Sequence, residues 1–230
     1  MNKLPPEIIA QVARCLLEGS TVDAMPIIPL THVCQYWRES IVSTSALWTS
    51  ISGERRGLAA LSLKRSKAAP LDISLWMYRI EKDPWFAKLI APHTHNVEIL
   101  EVRSIETLQE LAQALPDFPQ SMPNLRSLTL MRHPTRNWQL LQYGYIDSLG
   151  PLPPALKFLT LSEIPLCPPF LRLRSLTELA LFDRRFNLHL DTLLEFLEEN
   201  GCTLSMIRSV SLTLHSFQTD VKRRNPVPIH

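Results

Sequence analysis

His32 and Cys34 stand two residues apart in LTHVCQYWRESIVSTSALW (30–48), and a thiol beside an imidazole is the raw material of a nucleophile or of a metal site. Activation of that thiol needs a paired histidine held by an acid, and no such arrangement is visible around it. Cys34 also falls in step with Leu30, Val33, Trp37 and Ile41, which puts it on the apolar face of a helix, as a packed thiol. His93-x-His95 offers two imidazoles, but no Cys or His lies close in sequence to complete four zinc ligands, so a loop before a strand is expected there. With 6 glycines there is little material for a phosphate-cradling loop. The basic run at 222–224 reads as a solvated tail. The chain is therefore expected to be no enzyme and to need neither cofactor nor metal.

The elements that would position these residues begin with helices. Leu4-Pro5-Pro6 leads into EIIAQVARCLLEG, where proline suits a helix start and Glu7 complements the dipole in the first turn. Ile8 and Ile9, Val12, and Cys15 and Leu16 recur at helical spacing, with Gln11, Arg14 and Glu18 opposite; Gly19 is a plausible stop. After a loop bearing Pro26 and Pro29, residues 30–41 predict a second amphipathic helix, and Ser43-Thr44-Ser45 caps a short third segment, ALWTSI. ERRGLAALSLKRSKA also reads as a helix.

From about Pro70 the period changes to two. Leu71, Ile73 and Leu75 alternate with Asp72, Ser74 and Trp76. An apolar pattern then recurs as VEILEV, LRSLTL, LKFLTL, LTELAL and IRSVSL. These begin at 97, 125, 156, 176 and 207, and are thus 28, 31, 20 and 31 residues apart. Self-similarity at such intervals is the mark of a leucine-rich solenoid, with helical patterns at 104–115 and 189–201 between strands. The asparagine or cysteine expected three residues after each last leucine is missing; Ile105, His133, Ile164 and Arg184 stand there. The expected fold is thus α/β: a small N-terminal three-helix module (1–51), a linker helix (52–69), an irregular leucine-rich repeat array with a curved, mainly parallel sheet (70–216), and a disordered tail (217–230). That tail has too few apolar residues to cap the array, so the array is expected to be cut short or capped by a partner.

Composition narrows the setting. A net charge of +2 is too mild to imply nucleic acid, and no apolar run is long enough to span a membrane. MNKLPPEIIAQ lacks a signal-peptide core, and Cys15, Cys34, Cys167 and Cys202 follow no disulfide framework, which points to the cytosol or nucleus. Nineteen prolines against 6 glycines imply short elements with stiff connections.

The order of the pieces resembles an F-box protein, and more narrowly the F-box-like leucine-rich repeat proteins of mushroom-forming fungi. The resemblance rests on Leu4-Pro5, Glu7-Ile8, Val33-Cys34, Trp37-Arg38 and Leu47-Trp48, followed by the repeats. It extends through LSLKRSKAAPLDISL into most of the repeat region. Departures are Ala13, where the family often carries a large apolar residue, and the proline-bearing loop at 19–29. The resemblance implies that the helical module docks a Skp-type adaptor and through it a cullin, making the chain a substrate-recognition subunit of an SCF-type ubiquitin ligase. The residues implied for adaptor contact are Leu4, Pro5, Glu7, Ile8, Val12, Leu30, Val33, Trp37, Leu47 and Trp48, although both tryptophans equally suit a core joining the module to the repeats. The rival is a leucine-rich interaction protein whose helical cap seals the first repeat.

In either case the residues between the buried leucines point to the other face of each strand. Trp76, Glu101, Arg103, Met131, Phe158, Glu178 and Phe182 are its expected binding residues, among small hydroxyls that reach Ser209, Ser211 and Thr213 in the last strand. That mixture suits an unidentified protein target rather than nucleic acid or membrane.

Overall fold

In a computed structural model of the chain, the structure describes residues 4–18, 24–77, 84–105, 111, 115, 118, 121–132, 152–164, 170, 173, 175–182, 188–189, 194, 196–198, 203–210 and 214–215. The fold is α/β. Strands β1 (Ser50–Ser52), β2 (Leu71–Trp76), β3 (Val97–Ile105), β4 (Ser127–Arg132), β5 (Phe158–Ser162), β6 (Glu178–Phe182) and β8 (Met206–Val210) form one seven-stranded sheet in chain order. Every pairing in it is parallel. Two short strands, β7 (Leu188–His189) and β9 (Leu214–His215), pair with each other.

The sheet is held in register by rows of apolar side chains. Ile51, Ile73, Leu100, Leu128, Leu159 and Leu179 are successive partners across the strands, and each is buried. A second buried row runs Leu75, Val102, Leu130, Leu161 and Leu181. Leu125, Leu156 and Leu176, the first leucine of each pattern, are buried where the chain turns into its strand. Phe86, Leu111, Leu115, Phe118, Phe170 and Phe196, from the connections between strands, pack into the same core, so the connections cover one face of the sheet. Burying each such leucine or phenylalanine is worth about 1.5–3 kcal/mol, so these rows set the register and supply most of the drive for assembly.

The strand entries repeat as well. Lys157 N and Phe158 N both donate to Arg126 O, and Thr177 N and Glu178 N both donate to Lys157 O. Ser205 N and Met206 N do the same with Thr177 O. The hydroxyls of Thr177 and Ser205 brace the same carbonyls. At the strand exits Ser104 (φ 60°) and Glu163 (φ 57°) occupy equivalent positions in the left-handed region. That turn sends Ile105 and Ile164, which stand in place of the expected asparagine, into the core. The polar ladder is thus replaced by an apolar one.

Four expectations are corrected. The helix predicted across 30–41 is two pieces: a 3₁₀ turn at Pro29–His32 and α2 (Gln35–Ser43), broken at Cys34, whose φ of −162° and ψ of 171° are extended. The boundary drawn after residue 51 cuts through β1, which already belongs to the sheet. The helix pattern drawn from residue 104 starts too early, because β3 runs to Ile105; most of 106–114 and 189–201 lies outside the described residues. The fifth repeat is shifted by three: Leu179 pairs with Ile207 and Leu181 with Ser209, rather than with Val210 and Leu212. The 19–23 part of the first loop and the 217–230 tail also lie outside the described residues.

The helical elements at the N-terminus form a second core. Helix α1 (Pro6–Glu18) buries Ile9 and Ala13 against Ala24, Ile27, Ile41, Leu47 and Trp48. Ala13 is 0% exposed, its small side chain enclosed in that core. Helix α3 (Arg56–Ser66), expected from ERRGLAALSLKRSKA, joins the cores: Ala59 and Leu63 pack in the sheet core, and Leu58 and Leu61 against the helical one. Before it, Gly53 faces Phe86 so closely that a Cβ there would lie 3.0 Å from the ring. No helix among the described residues is long and apolar enough to cross a membrane.

Candidate functional site

Two surfaces carry the residues singled out in the sequence. The first is the outer side of α1. Leu4, Ile8, Val12 and Leu16 succeed each other at every fourth position and are 50%, 48%, 40% and 44% exposed, which is an unusual outlay of large apolar surface for one helix. Helical periodicity grouped Ile8 and Ile9, Val12, and Cys15 and Leu16 as one apolar face; of these Ile9 alone is buried, together with Ala13, and Ala10 and Leu17 are half-buried beside them. The helix is apolar on two sides, and spacing alone does not say which one packs.

Tyr36 ties α2 to the start of this stripe, its hydroxyl donating to Leu4 O at 2.9 Å. Pro5 and Glu7 are exposed on the same first turn, and Val33 and Met25 add apolar surface in the following segments. Leu30 and Trp37 are half-buried against the helical core. Leu47 and Trp48 are corrections to the implied contact set. Both are buried, the Trp48 indole N–H donates to Ile41 O at 3.0 Å, and the Arg65 guanidinium lies 4.3 Å over its ring. They join module to sheet and have no side-chain surface left for a partner.

The second surface is the sheet face opposite the connections. Three rows cross it. One runs Asp72, Ile99, Ser127, Phe158, Glu178 and Met206; the next Ser74, Glu101, Thr129, Thr160, Ala180 and Arg208; the third Trp76, Arg103, Met131, Ser162, Phe182 and Val210. All seven expected target-binding residues are brought onto this face. Phe158 and Phe182 are exposed, and Trp76, Glu101, Arg103, Met131 and Glu178 are half-buried. The last strand differs from expectation, presenting the register positions of Met206, Arg208 and Val210 rather than Ser209, Ser211 and Thr213, because of the three-residue shift.

Local electrostatics concentrate at β2 and β3. Arg103 Nε donates to Glu101 Oε1 at 2.8 Å while its guanidinium lies 5.2 Å over Trp76. Burial, and secondarily the charge of Glu101, pushes the Asp72 carboxyl above its usual range.

The residues that opened the question of catalysis do not assemble. Cys34 is an exposed free thiol at the start of α2, not a residue of the apolar face, and Cys15 is exposed on α1. His93 and His95 lie on a 3₁₀ segment (Ala91–Asn96), and among the described residues no three His, Cys, Asp or Glu gather as a metal site. Cys167 and Cys202 lie outside the described residues. Comparison with family models, curated proteins and solved structures finds no match.

Proposed function

We propose that this chain is a non-enzymatic substrate-recognition subunit of an SCF-type ubiquitin ligase. Its N-terminal helices form an F-box-like module that docks a Skp-type adaptor, and its sheet is an irregular leucine-rich repeat array that holds a target protein in the cytosol or nucleus. The observation that carries it is the stripe Leu4, Ile8, Val12 and Leu16, left exposed by a helix that already packs through Ile9 and Ala13. A helix with a second, unspent apolar face is suited to lying in or beside a partner's groove. The parallel strands in chain order, with connections on one face and exposed Phe158 and Phe182 on the other, suit a recognition surface at the far end from that helix.

The test is a pull-down of a Skp-type adaptor by the full chain and by an Ile8→Asp, Val12→Asp variant. Both positions are exposed, so the variant folds; charges on an apolar contact abolish adaptor binding. Unchanged capture by the folded variant, or none by the wild type, defeats the proposal. A second reading, an interaction protein whose helices only cap the array, is favoured by one feature: α3 and the buried pair Leu47 and Trp48 fuse the helical module to the β1 end of the sheet. Failure of wild-type capture selects it.

A further inference from the structure

The three rows of the open sheet face differ in size. The middle row is mostly small, with Ser74, Thr129, Thr160 and Ala180, while the rows beside it carry Ile99 and Phe158 on one side and Met131 and Phe182 on the other. The outer rows are four residues apart along the strands, about 13 Å, and the face spans five strand spacings from β2 to β8, roughly 24 Å. Small side chains between two lines of larger ones make a trough that runs across the strands. Its walls are exposed: Ile99, Phe158 and Phe182 are 41%, 43% and 38% exposed.

Charge distinguishes one end of the trough. The chain has a net charge of +2, yet on β2 and β3 the three rows hold Asp72 and Glu101 against Arg103 alone. Arg103 is already committed to Glu101 and to the face of Trp76. Between Asp72 and Trp76 lies Ser74, the register partner of Glu101; it is 6% exposed, and its Oγ has no hydrogen-bond partner. A buried hydroxyl without a partner is costly, and so is a carboxylate with no cation beside it among the described residues. One ammonium or guanidinium group at this corner would relieve both.

We infer that the trough binds an extended polypeptide segment carrying a lysine or arginine at the Asp72–Ser74–Glu101 corner and an apolar side chain over Ser127, between Ile99 and Phe158. This inference rests on the proposal that the face holds a target protein. The basic group neutralises the surplus carboxylate and donates to Ser74 Oγ, and the small Ser127 leaves room between two exposed apolar neighbours. From Asp72 to Ser127 is two strand spacings, about 10 Å; an extended chain in the polyproline II form, rising about 3.1 Å per residue with three residues per turn, covers this in three residues and turns the first and fourth side chains to the same side. The segment therefore carries its basic and apolar residues three apart.

The probe is a fluorescein-labelled octapeptide of serine and alanine with one lysine and one leucine three residues apart, titrated against the full chain by fluorescence polarisation. Replacing the lysine by glutamate, or the leucine by serine, weakens binding by about tenfold or more. In the protein, Asp72→Asn and Phe158→Ser, both verified as folded by thermal melts, each weaken the lysine peptide by about tenfold; Asp72→Asn does not weaken the glutamate peptide. No binding by any peptide, equal affinity for the lysine and glutamate versions, or indifference to Asp72→Asn overturns the inference. The adaptor pull-down is read separately on the same preparations. Peptide binding without adaptor capture keeps the trough and defeats the ligase proposal, whereas adaptor capture without peptide binding defeats the trough alone.

Discussion

Burial lifts the pKa of Asp72, and the charge of Glu101 adds to the lift. An acid raised on folding holds more protons in the folded than in the unfolded chain between its two pKa values. Stability therefore falls as pH rises through that interval and is level above it. Asp72→Asn removes the penalty, so its Tm exceeds that of the wild type at neutral pH, and the difference vanishes below the ordinary carboxyl range. Melts from about pH 3 to 7 check this; a difference that does not change with pH would refute it. The same side chain that costs stability supplies the charge for a basic ligand, which is the usual tension at a binding site. None of this was legible in the sequence, where Asp72 is simply the polar member of an alternating strand. Cys34 shows the opposite failure. Its spacing matched an apolar face, but the helix breaks at that residue, so Cys34→Ser should change stability by no more than about 0.5 kcal/mol, as at other surface positions. A loss above about 2 kcal/mol in denaturant melts would show that the thiol packs after all.

At the scale of elements, β2 to β6 and β8 were readable because their period of two and their apolar pattern recur, whereas β1 was hidden in the short third segment ALWTSI and the helices were ambiguous because α1 is apolar on two sides. Which side packs is decided by Ile27, Ile41 and Trp48, all distant in sequence from Ile9 and Ala13, and no local pattern contains that information. Helix α3 illustrates what links the two cores. Leu58 and Leu61 face one, Ala59 and Leu63 the other, and Arg65 reaches from it over the buried ring of Trp48. Removing that ring by Trp48→Ala should cost about 3–5 kcal/mol. A double-mutant cycle pairing Arg65→Met with Trp48→Leu should return a coupling of about 1 kcal/mol. Coupling indistinguishable from zero would mean that the guanidinium merely rests on the ring.

For the whole molecule, the two ends of the sheet are unlike. At one end β1 follows the 3₁₀ turn at Ser45–Trp48, which lies in the helical core, and leads into α3, which packs in both cores. At the other, β8 is the terminal strand of the sheet among the described residues, paired on one side with β6. The repeat pattern foresaw five of the strands and their order, but it placed the last one three residues too late. Local matching scored Val210 and Leu212 above Ile207 and Ser209, whereas the paired amides at Ser205 and Met206, which both donate to Thr177 O, fix the register from the strand entry. Leu204, half-buried against the sheet core, takes the position that Leu176 holds one strand earlier. In the row of Leu75, Val102, Leu130, Leu161 and Leu181 the sixth register position then falls to Ser209, a serine where the five before it are apolar. A strand paired on one side only, as β8 is among the described residues, opens more readily than one locked between two neighbours. Native-state hydrogen exchange should therefore run about a hundredfold or more faster in Met206–Val210 than in Ser127–Arg132, with β6 in between. Equal protection of β8 and β4 in a monomeric sample would show that its outer edge is covered.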